Sequence, residues 1–172
     1  MVGIPIALAV SNVGEWFFHK HVLHGMGKRK KSLWSFHWHE HHKLSRKNGM
    51  YDGAYVRPLT EWNGQTKEAI ALAANALIHL PLFPIAPFYT ATMLFCMGNY
   101  YVKHRRAHLD VEWGRQNMPW HYDHHMGRNQ DANWCVTNPW FDNLVGTRLE
   151  GPALDETPTP ERLARRAAKQ AA

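Results

Sequence analysis

The chain has 172 residues, with 20 Lys and Arg against 14 Asp and Glu, a formal charge of +6, two cysteines and 13 histidines. This length permits one domain with a single core, or a compact membrane protein. Two cysteines without a Cys-x-x-Cys pair exclude a disulfide-stapled scaffold and a zinc ribbon. The mean hydropathy of −0.47 argues against a protein made mostly of lipid-facing helix, but the apolar residues are segregated along the chain.

Apolar residues concentrate in two segments that are candidates for membrane spans. Glu15 is the only charged side chain in residues 1–18, and residues 69–102 contain no Asp, Glu, Lys or Arg. Segments of this length without charge are typical of membrane helices. The first segment lacks a basic start and a cleavage-like site, so we interpret it as a retained anchor and not as a signal peptide.

Three prolines divide the second apolar segment. Pro81, Pro84 and Pro87 would end one helix and begin another, which predicts a helical hairpin. The first arm, residues 66–80, covers roughly 22 Å at 1.5 Å per residue, which is less than a hydrocarbon core of about 30 Å. The second arm, residues 85–108, is long enough to cross such a core.

Positive charges predict the orientation of these segments. Residues 25–67 carry nine Lys and Arg, whereas the loop around Pro84 carries none, and the basic side of a membrane protein faces the cytoplasm. We therefore predict an all-α integral-membrane protein with an N-terminal span, a helical hairpin and a cytoplasmic histidine-rich helical cap. Residues 1–150 would form this single domain, and residues 151–172 would form a polar, flexible tail.

The excess of Lys and Arg over Asp and Glu would also suit a nucleic-acid-binding protein. The charges, however, lie beside the apolar segments, where they match anionic headgroups. We therefore predict a membrane as a partner, and no nucleic acid.

Histidines form four groups at spacings that suit metal ligands. The groups are HKHVLH at residues 19–24, HWHEHH at 37–42, HRRAH at 104–108 and HYDHH at 121–125. The predicted topology places all four groups on the same side of the membrane. A single histidine pair would be unremarkable on a protein surface, but four groups on one side favour a shared metal site.

Helical spacing predicts which histidines point the same way. Residues four apart share a helix face. Three pairs would each direct two imidazoles at one point: His37 with His41, His104 with His108, and His121 with His125. His124 lies on the same face as His121. His19 and His24, five apart, need a helix that is distorted or wider than α, and the pair His21 with His24 is the alternative.

The number of histidines predicts the number of metal ions. Each buried imidazole nitrogen needs a partner, and metal ions supply such partners. About ten ligands exceed the three or four that one zinc ion takes, so two metal ions sharing an all-nitrogen ligand set are predicted. Iron, zinc, copper and nickel all accept imidazole, so the ligand type alone does not identify the metal.

The histidine motifs, in this order and with a hydrophobic hairpin between the second and third, resemble the fatty acid hydroxylase and sterol desaturase superfamily of integral-membrane di-iron enzymes. NWCVTNPWFDNLVGTR at residues 133–148 is similar to the carboxy-terminal signature of that family. HKHVLHG is also similar to a motif of bacterial β-carotene hydroxylases. The resemblance covers residues 14–148.

The resemblance implies ten metal ligands, distributed over the four motifs: His19, His24, His37, His41, His42, His104, His108, His121, His124 and His125. In the second motif, a two-residue spacing before the histidine pair would place Trp38 among the ligands, whereas a three-residue spacing places His37 there, and we adopt His37. His39, Asp123 and Asp142 are then predicted to hydrogen-bond the ligands. No catalytic residue beyond the metal ligands is implied.

The resemblance also implies two iron ions, O2 as co-substrate, and hydroxylation of a C–H bond in a lipid, either a fatty acyl chain or a sterol-like molecule. The chain has no flavin, haem or Rossmann fingerprint, so electrons would come from a separate ferredoxin, cytochrome or reductase. A carotenoid ring hydroxylase is an alternative, as is a non-enzymatic, histidine-rich metal-binding membrane protein. A homo-oligomer could complete the substrate tunnel.

Overall fold

The structure is a computed structural model that describes residues 2–151, so the predicted tail lies outside the described residues except for Gly151. The described residues contain seven α-helices and no strand: α1 (Gly3–Phe17), α2 (Lys43–Lys47), α3 (Gly64–His79), α4 (Pro87–Leu109), α5 (Val111–Asn117), α6 (Pro119–Met126) and α7 (Trp140–Val145). Short 3₁₀-helices lie at Gly53–Val56 and Leu80–Leu82.

Two π-helices interrupt the α-helical pattern, and both carry histidines. The first, Phe18–Met26, continues α1 without a break, and the second, His37–His42, leads directly into α2. A π-helix bonds residues five apart and is wider than an α-helix. The five-residue spacing from His19 to His24, which does not fit an α-helix, therefore fits the helix that the structure contains.

Three helices form the body of the molecule. α1 and α4 run in the same direction, and Gly3 of α1 approaches Tyr89 in the first turn of α4. α3 runs antiparallel to α4, so that the Gln65 side chain near the start of α3 hydrogen-bonds the hydroxyl of Tyr101 near the end of α4. The last turns of α1 and α4 and the first turn of α3 consequently meet at one end of the bundle.

The predicted hairpin is present as α3 and α4. The Asn63 side chain accepts a hydrogen bond from Thr66 N at 3.2 Å and so caps the start of α3. Pro81 lies in the short 3₁₀-helix between the two arms, and Pro87 begins α4, where its missing N–H costs no helical hydrogen bond. The prolines therefore set the turn of the hairpin.

The prediction of an integral-membrane protein is wrong. Within residues 2–151, no helix is both long enough and apolar enough to cross a membrane. α1 has 15 residues and α3 has 16, whereas a span needs about 20. α4 has 23 residues, but Thr90, Asn99 and Lys103 are among those that lower its hydropathy. The predicted membrane location, with the histidines on the cytoplasmic side, is wrong for the same reason.

A compact layer of short helices covers the histidine end of the bundle. α5 folds back onto the end of α4 at Gly114, where a side-chain Cβ would lie 2.8 Å from the carbonyl oxygen of Ala107. The main buried apolar cluster lies in this layer and consists of Met50, Ala107, Met118, Met126 and Val136. The apolar core therefore supports α6, which carries the last histidine motif.

Candidate metal centre

Five histidines form a first cluster at the end of the bundle. The two π-helices and α6 supply His19, His24, His37, His42 and His124, all of them buried. The Nε2 atoms face one another: the distance is 3.0 Å between His19 and His37 and 3.1 Å between His42 and each of its three neighbours. One metal ion among these nitrogens would contact all five rings.

Four more histidines form a second cluster beside the first: His41, His104, His108 and His125. His121 lies against this group, with its Nε2 3.2 Å from the Nε2 of His108. The rings of His42 and His125 stack with their centroids 4.3 Å apart, which joins the two clusters directly. The structure thus brings all ten histidines of the predicted ligand set together as two adjacent groups.

Contacts at Nδ1 show which nitrogen of several rings carries the proton. Nδ1 of His19 donates to the carbonyl of Trp134 at 2.7 Å, and Nδ1 of His124 donates to that of Ala132 at 2.6 Å. A carbonyl oxygen can only accept, so in the neutral ring the proton is on Nδ1 and Nε2 presents a lone pair. Nδ1 of His108 likewise donates to the carbonyl of Met50 at 2.7 Å, so its Nε2 also presents a lone pair.

The fit to metal ions follows from these lone pairs. The Nε2 lone pairs of His104 and His108, whose Nδ1 atoms donate to Glu68 and Met50, face each other at 3.2 Å and repel, and a cation between them removes that repulsion. In the second cluster, His41 Nε2 and both ring nitrogens of His125 are buried without a hydrogen-bond partner among the described residues. Buried polar groups normally have partners, so these nitrogens fit a site that binds a metal ion.

The three carbonyls that hold His19, His108 and His124 lie at or beside strained backbone. Met50 has a φ of 82° and Asn133 a φ of 58°, both in the left-handed region that is uncommon for residues other than glycine. Met50 supplies the carbonyl to His108, and Asn133 lies between Ala132 and Trp134, whose carbonyls hold His124 and His19. Such strain is typical of functional sites, where the surrounding structure enforces it.

Three carboxylates hydrogen-bond ligand rings. The Nδ1 atoms of His41 and His104 contact Asp52 at 2.8 Å and Glu68 at 2.5 Å, respectively, and both carboxylates are largely buried. In the first cluster, Nδ1 of His24 lies 3.2 Å from the half-exposed Asp131. A carboxylate on Nδ1 fixes the ring and makes its other nitrogen a stronger ligand.

Burial favours the neutral form of nine of the ten clustered histidines. Burial, together with the neighbouring imidazoles, lowers the pKa of nine of the histidines, and that of His124 to about 3: His19, His24, His37, His42, His104, His108, His121, His124 and His125. Burial raises the pKa of Asp52, but the hydrogen bonds from His41 and Ala54 and the attraction of nearby histidines together outweigh it and leave that pKa below its usual value. Neutral imidazole is the form that binds a metal ion.

The structure redistributes two of the predicted histidine pairs. His37 and His41 belong to different clusters, because the π-helix places His37 with His42, five residues later. His124 belongs to the first cluster, whereas its neighbour His125 belongs to the second. The predicted shared face is therefore corrected for His37 with His41 and for His121 with His124. The predicted pairs His104 with His108 and His121 with His125 stay together.

The three side chains predicted to support the ligands lie elsewhere. His39 Nε2 contacts the carbonyl of Lys28 at 3.1 Å. Asp123 forms an ion pair with Arg148 at 3.0 Å. Asp142 accepts from Trp134 N at 3.0 Å and Cys135 N at 2.7 Å, so it shapes the loop whose carbonyl holds His19. Among residues 2–151, none of the three hydrogen-bonds one of the ten histidines.

Sequence reasoning missed the carboxylates that do contact the ligands. Asp52 lies 11 residues after its partner, and its side chain also accepts from Ala54 N at 2.9 Å, which caps the 3₁₀-helix that carries Tyr55. The Tyr55 hydroxyl hydrogen-bonds Glu68. One signal was available for Glu68, because it is the last charged residue before the charge-free segment 69–102.

An apolar cavity reaches the clusters from between α1, α3 and α4. Its volume is about 520 Å³, and its walls include Phe18, Leu72 and Met93. Four of the clustered histidines line it: His19, His37, His41 and His104. A mostly apolar cavity with a few polar groups at one place is typical of a small-molecule site.

No protein-family model, curated protein or solved structure matches the chain. The resemblance to a di-iron hydroxylase family therefore stays a prediction from the histidine motifs. The geometry of the clusters and the cavity is what bears on function.

Proposed function

We propose that this protein is a di-iron oxygenase that uses O2 and externally supplied electrons to hydroxylate a C–H bond of a lipid, either a fatty acyl chain or a sterol-like molecule. The observation that carries the proposal is the meeting of two all-histidine clusters with an apolar cavity. The clusters account for the metals, and the cavity accounts for an apolar substrate.

The ten histidines would hold the two iron ions, which when bound supply the reduction of O2 and an oxidant able to break an unactivated C–H bond. The chain itself orients the ligands. Carbonyls of the loop around Asn133 fix His19 and His124, and Asp52 and Glu68 fix rings of the second cluster. Because these partners hold Nδ1, each of these rings presents Nε2 to the metal.

The cavity would position the substrate. Its apolar walls favour an alkyl chain by about 0.8 kcal/mol for each CH₂ removed from water. His37 and His41, one from each cluster, both line the cavity. A carbon placed against these two rings would lie next to both metal sites, with water excluded by the surrounding apolar side chains.

The test loads the purified protein with Fe²⁺, reduces it with dithionite, removes the excess dithionite without air and then supplies ¹⁸O₂ with a total lipid extract. We expect O2 uptake and a lipid class that gains one ¹⁸O atom, with the other oxygen atom released as water. His124→Ala, which removes a ligand, should abolish the product, and the matched control His39→Ala, which lies outside both clusters, should retain it.

A metal-binding protein without enzymatic activity is the competing interpretation. It predicts two bound metal ions, no O2 uptake by the reduced protein, and no oxygenated lipid. That result would overturn the proposed oxygenase. A carotenoid substrate, in contrast, would be recognised by adding β-carotene to the same assay, because the oxygen would then appear in the carotenoid fraction.

A further inference from the structure

A basic loop covers the first cluster on the outside of the molecule. Residues 27–31 carry four exposed cations, Lys28, Arg29, Lys30 and Lys31, and the neighbouring segment adds the exposed Arg128. Asp131 is the only carboxylate in segments 26–39 and 124–132. This face is therefore strongly positive, which favours an acidic partner and speeds its association.

The basic loop is held in a fixed shape. At Gly27 the chain approaches itself so closely that a Cβ would lie 2.8 Å from the carbonyl oxygen of Trp34. Successive turns follow, including Arg29 N to Met26 O at 3.1 Å and Ser32 N to Arg29 O at 2.9 Å. The positive charges consequently sit on an ordered surface.

Trp38 connects this surface to the metal ligands. Its ring stacks on His42 with the centroids 5.3 Å apart and lies 5.0 Å from the ring of His24. Lys28 Nζ of the basic loop also lies over the Trp38 ring, 4.7 Å from its centroid. One indole ring therefore spans the distance from the basic loop to two histidines of the first cluster.

The position of the loop also separates it from the substrate cavity. Neither His24 nor His42, which contact Trp38, lines the cavity, whereas His19 and His37 do. The first cluster can thus be reached through Trp38 while the cavity is filled. A reaction that consumes O2 and a lipid needs such a separate path for electrons.

We infer that the basic loop docks an acidic one-electron carrier protein, and that Trp38 carries the electron from the docked carrier to the first cluster. This inference rests on the proposed function, since it needs a redox-active metal. In each encounter the carrier is oxidised by one electron and the ferric centre is reduced by one. Trp38 acts through His24 and His42, whose rings it contacts, and not by touching the substrate.

The docking experiment measures binding of an acidic [2Fe–2S] ferredoxin to the metal-loaded protein by isothermal titration. We expect the affinity to fall at least about tenfold as salt is raised from roughly 0.01 M to 0.15 M, because screening shortens the reach of the charges. The double variant Lys30→Glu/Lys31→Glu should bind at least about tenfold more weakly than the parent at low salt. Lys28 is left unchanged because it pairs with Asp131.

The matched control reverses two exposed cations on the side of the second cluster, Arg57→Glu/Arg115→Glu. It changes the net charge by the same amount and should alter the affinity less than about threefold. Equal losses in the two double variants would mean that net charge alone governs binding. That result, or an affinity that does not respond to salt, would overturn the docking surface.

The electron-transfer experiment follows reduction of the ferric protein by saturating reduced ferredoxin in a stopped-flow instrument. Trp38→Leu should slow the first-order rate at least about tenfold, and Trp38→Phe, which keeps an aromatic ring on His42, should restore most of it. Iron content, ferredoxin affinity and the rate of reduction by dithionite should stay unchanged. Equal rates in the parent and Trp38→Leu, or loss of iron from both variants, would overturn the role of Trp38.

The outcomes also distinguish this inference from the proposed function. If the metal-loaded protein takes electrons from dithionite and consumes O2 without binding ferredoxin, that result supports the proposed function and overturns the docking surface. If the chain binds no iron, both the proposed function and the electron path through Trp38 are wrong.

Discussion

The two clusters use the same ligand type but differ in what holds the ligands. In the first cluster, His19 and His124 donate to backbone carbonyls, and among residues 2–151 the one carboxylate contact is to Asp131, which is 50% exposed. In the second cluster, Asp52 and Glu68 are 2% and 13% exposed and contact two ligands. Buried carboxylates place more negative charge beside the second cluster, so we expect it to bind its metal ion more tightly.

This difference matches the positions of the clusters. The first cluster lies under the basic loop and touches the surface through Trp38 and Asp131. In the second cluster, His41 and His104 line the apolar cavity, and their carboxylate partners Asp52 and Glu68 are largely buried. The structure therefore combines a first cluster that contacts surface residues with a second cluster that is supported by buried carboxylates.

Removing one ligand from each cluster is the strongest test of this comparison. His124→Ala should release the metal ion of the first cluster, and His108→Ala that of the second, because each loses a nitrogen that nothing replaces. We expect about one iron ion per chain in either variant and a fall of at least about 100-fold in product, since paired metals act as a unit. Iron is measured by mass spectrometry of the metal and product by lipid analysis.

The control for this pair is His39→Ala, which should keep two iron ions per chain. Circular dichroism verifies that each variant is folded. A variant of His124 or His108 that kept two iron ions would show that the substituted residue is not a ligand, and the assignment of that cluster would be wrong.

Acid should destabilise the metal-free protein steeply. The pKa of nine clustered histidines is lower in the folded state than its usual value of 6.5. Above pH 6.5 both the folded and the unfolded chains are neutral at these groups. Below it only the unfolded chain takes up protons, so the free energy of unfolding falls by up to about 1.4 kcal/mol per pH unit for each histidine.

Glu68 should oppose this loss in the second cluster. Burial raises the pKa of Glu68 from 4.5 to about 7, so the folded chain takes up one proton as the pH falls from 7 to 4.5. Urea unfolding between pH 5 and 8 should therefore show a steeper pH dependence in Glu68→Gln than in the parent. A pH-independent free energy of unfolding in the parent would contradict the buried neutral state of the histidines.

Substituting the buried carboxylates should weaken the second cluster alone. Asp52→Asn keeps an oxygen that accepts from His41 but removes the negative charge. We expect a 10- to 100-fold loss of metal affinity at the second cluster, the range typical of such supporting residues. Competition with a chelator measures this affinity. In the parent, the chelator should remove the metal ion of the first cluster before that of the second cluster. Two sites of equal affinity in the parent would refute the asymmetry.

The sequence predicted the ten histidines that the structure brings together because the four motifs are local. His104 and His108, four apart on α4, share a cluster as expected from an α-helix. The spacing did not predict the division of the second motif, because the π-helix at residues 37–42 changes which side chains point together. Helix width depends on tertiary packing as well as on local spacing.

The supporting residues and the fold class were harder to predict. Glu68 lies 36 residues before His104 in the chain and meets it only because α3 and α4 are antiparallel. Asp142, adjacent to a motif, holds a loop and no ligand. The charge-free segment 69–102 suggested a membrane hairpin, but uncharged polar residues such as Asn75 and Asn99 lower its hydropathy. Absence of charge is a weaker criterion than hydropathy itself.

Asp131→Asn should have the smallest effect of these substitutions. It tests the carboxylate of the first cluster, as Asp52→Asn tests one of the second. Asp131 contacts His24 as Asp52 contacts His41, but it is half-exposed and also pairs with Lys28 at 2.6 Å. Water and Lys28 already neutralise much of its charge, and exposed pairs contribute only about 0–1 kcal/mol. We expect a loss of less than about threefold in metal affinity at the first cluster, measured with the same chelator as for Asp52→Asn. A loss as large as that in Asp52→Asn would mean that burial does not determine how strongly a carboxylate supports its histidine. The carboxylates of the two clusters would then contribute equally to metal affinity.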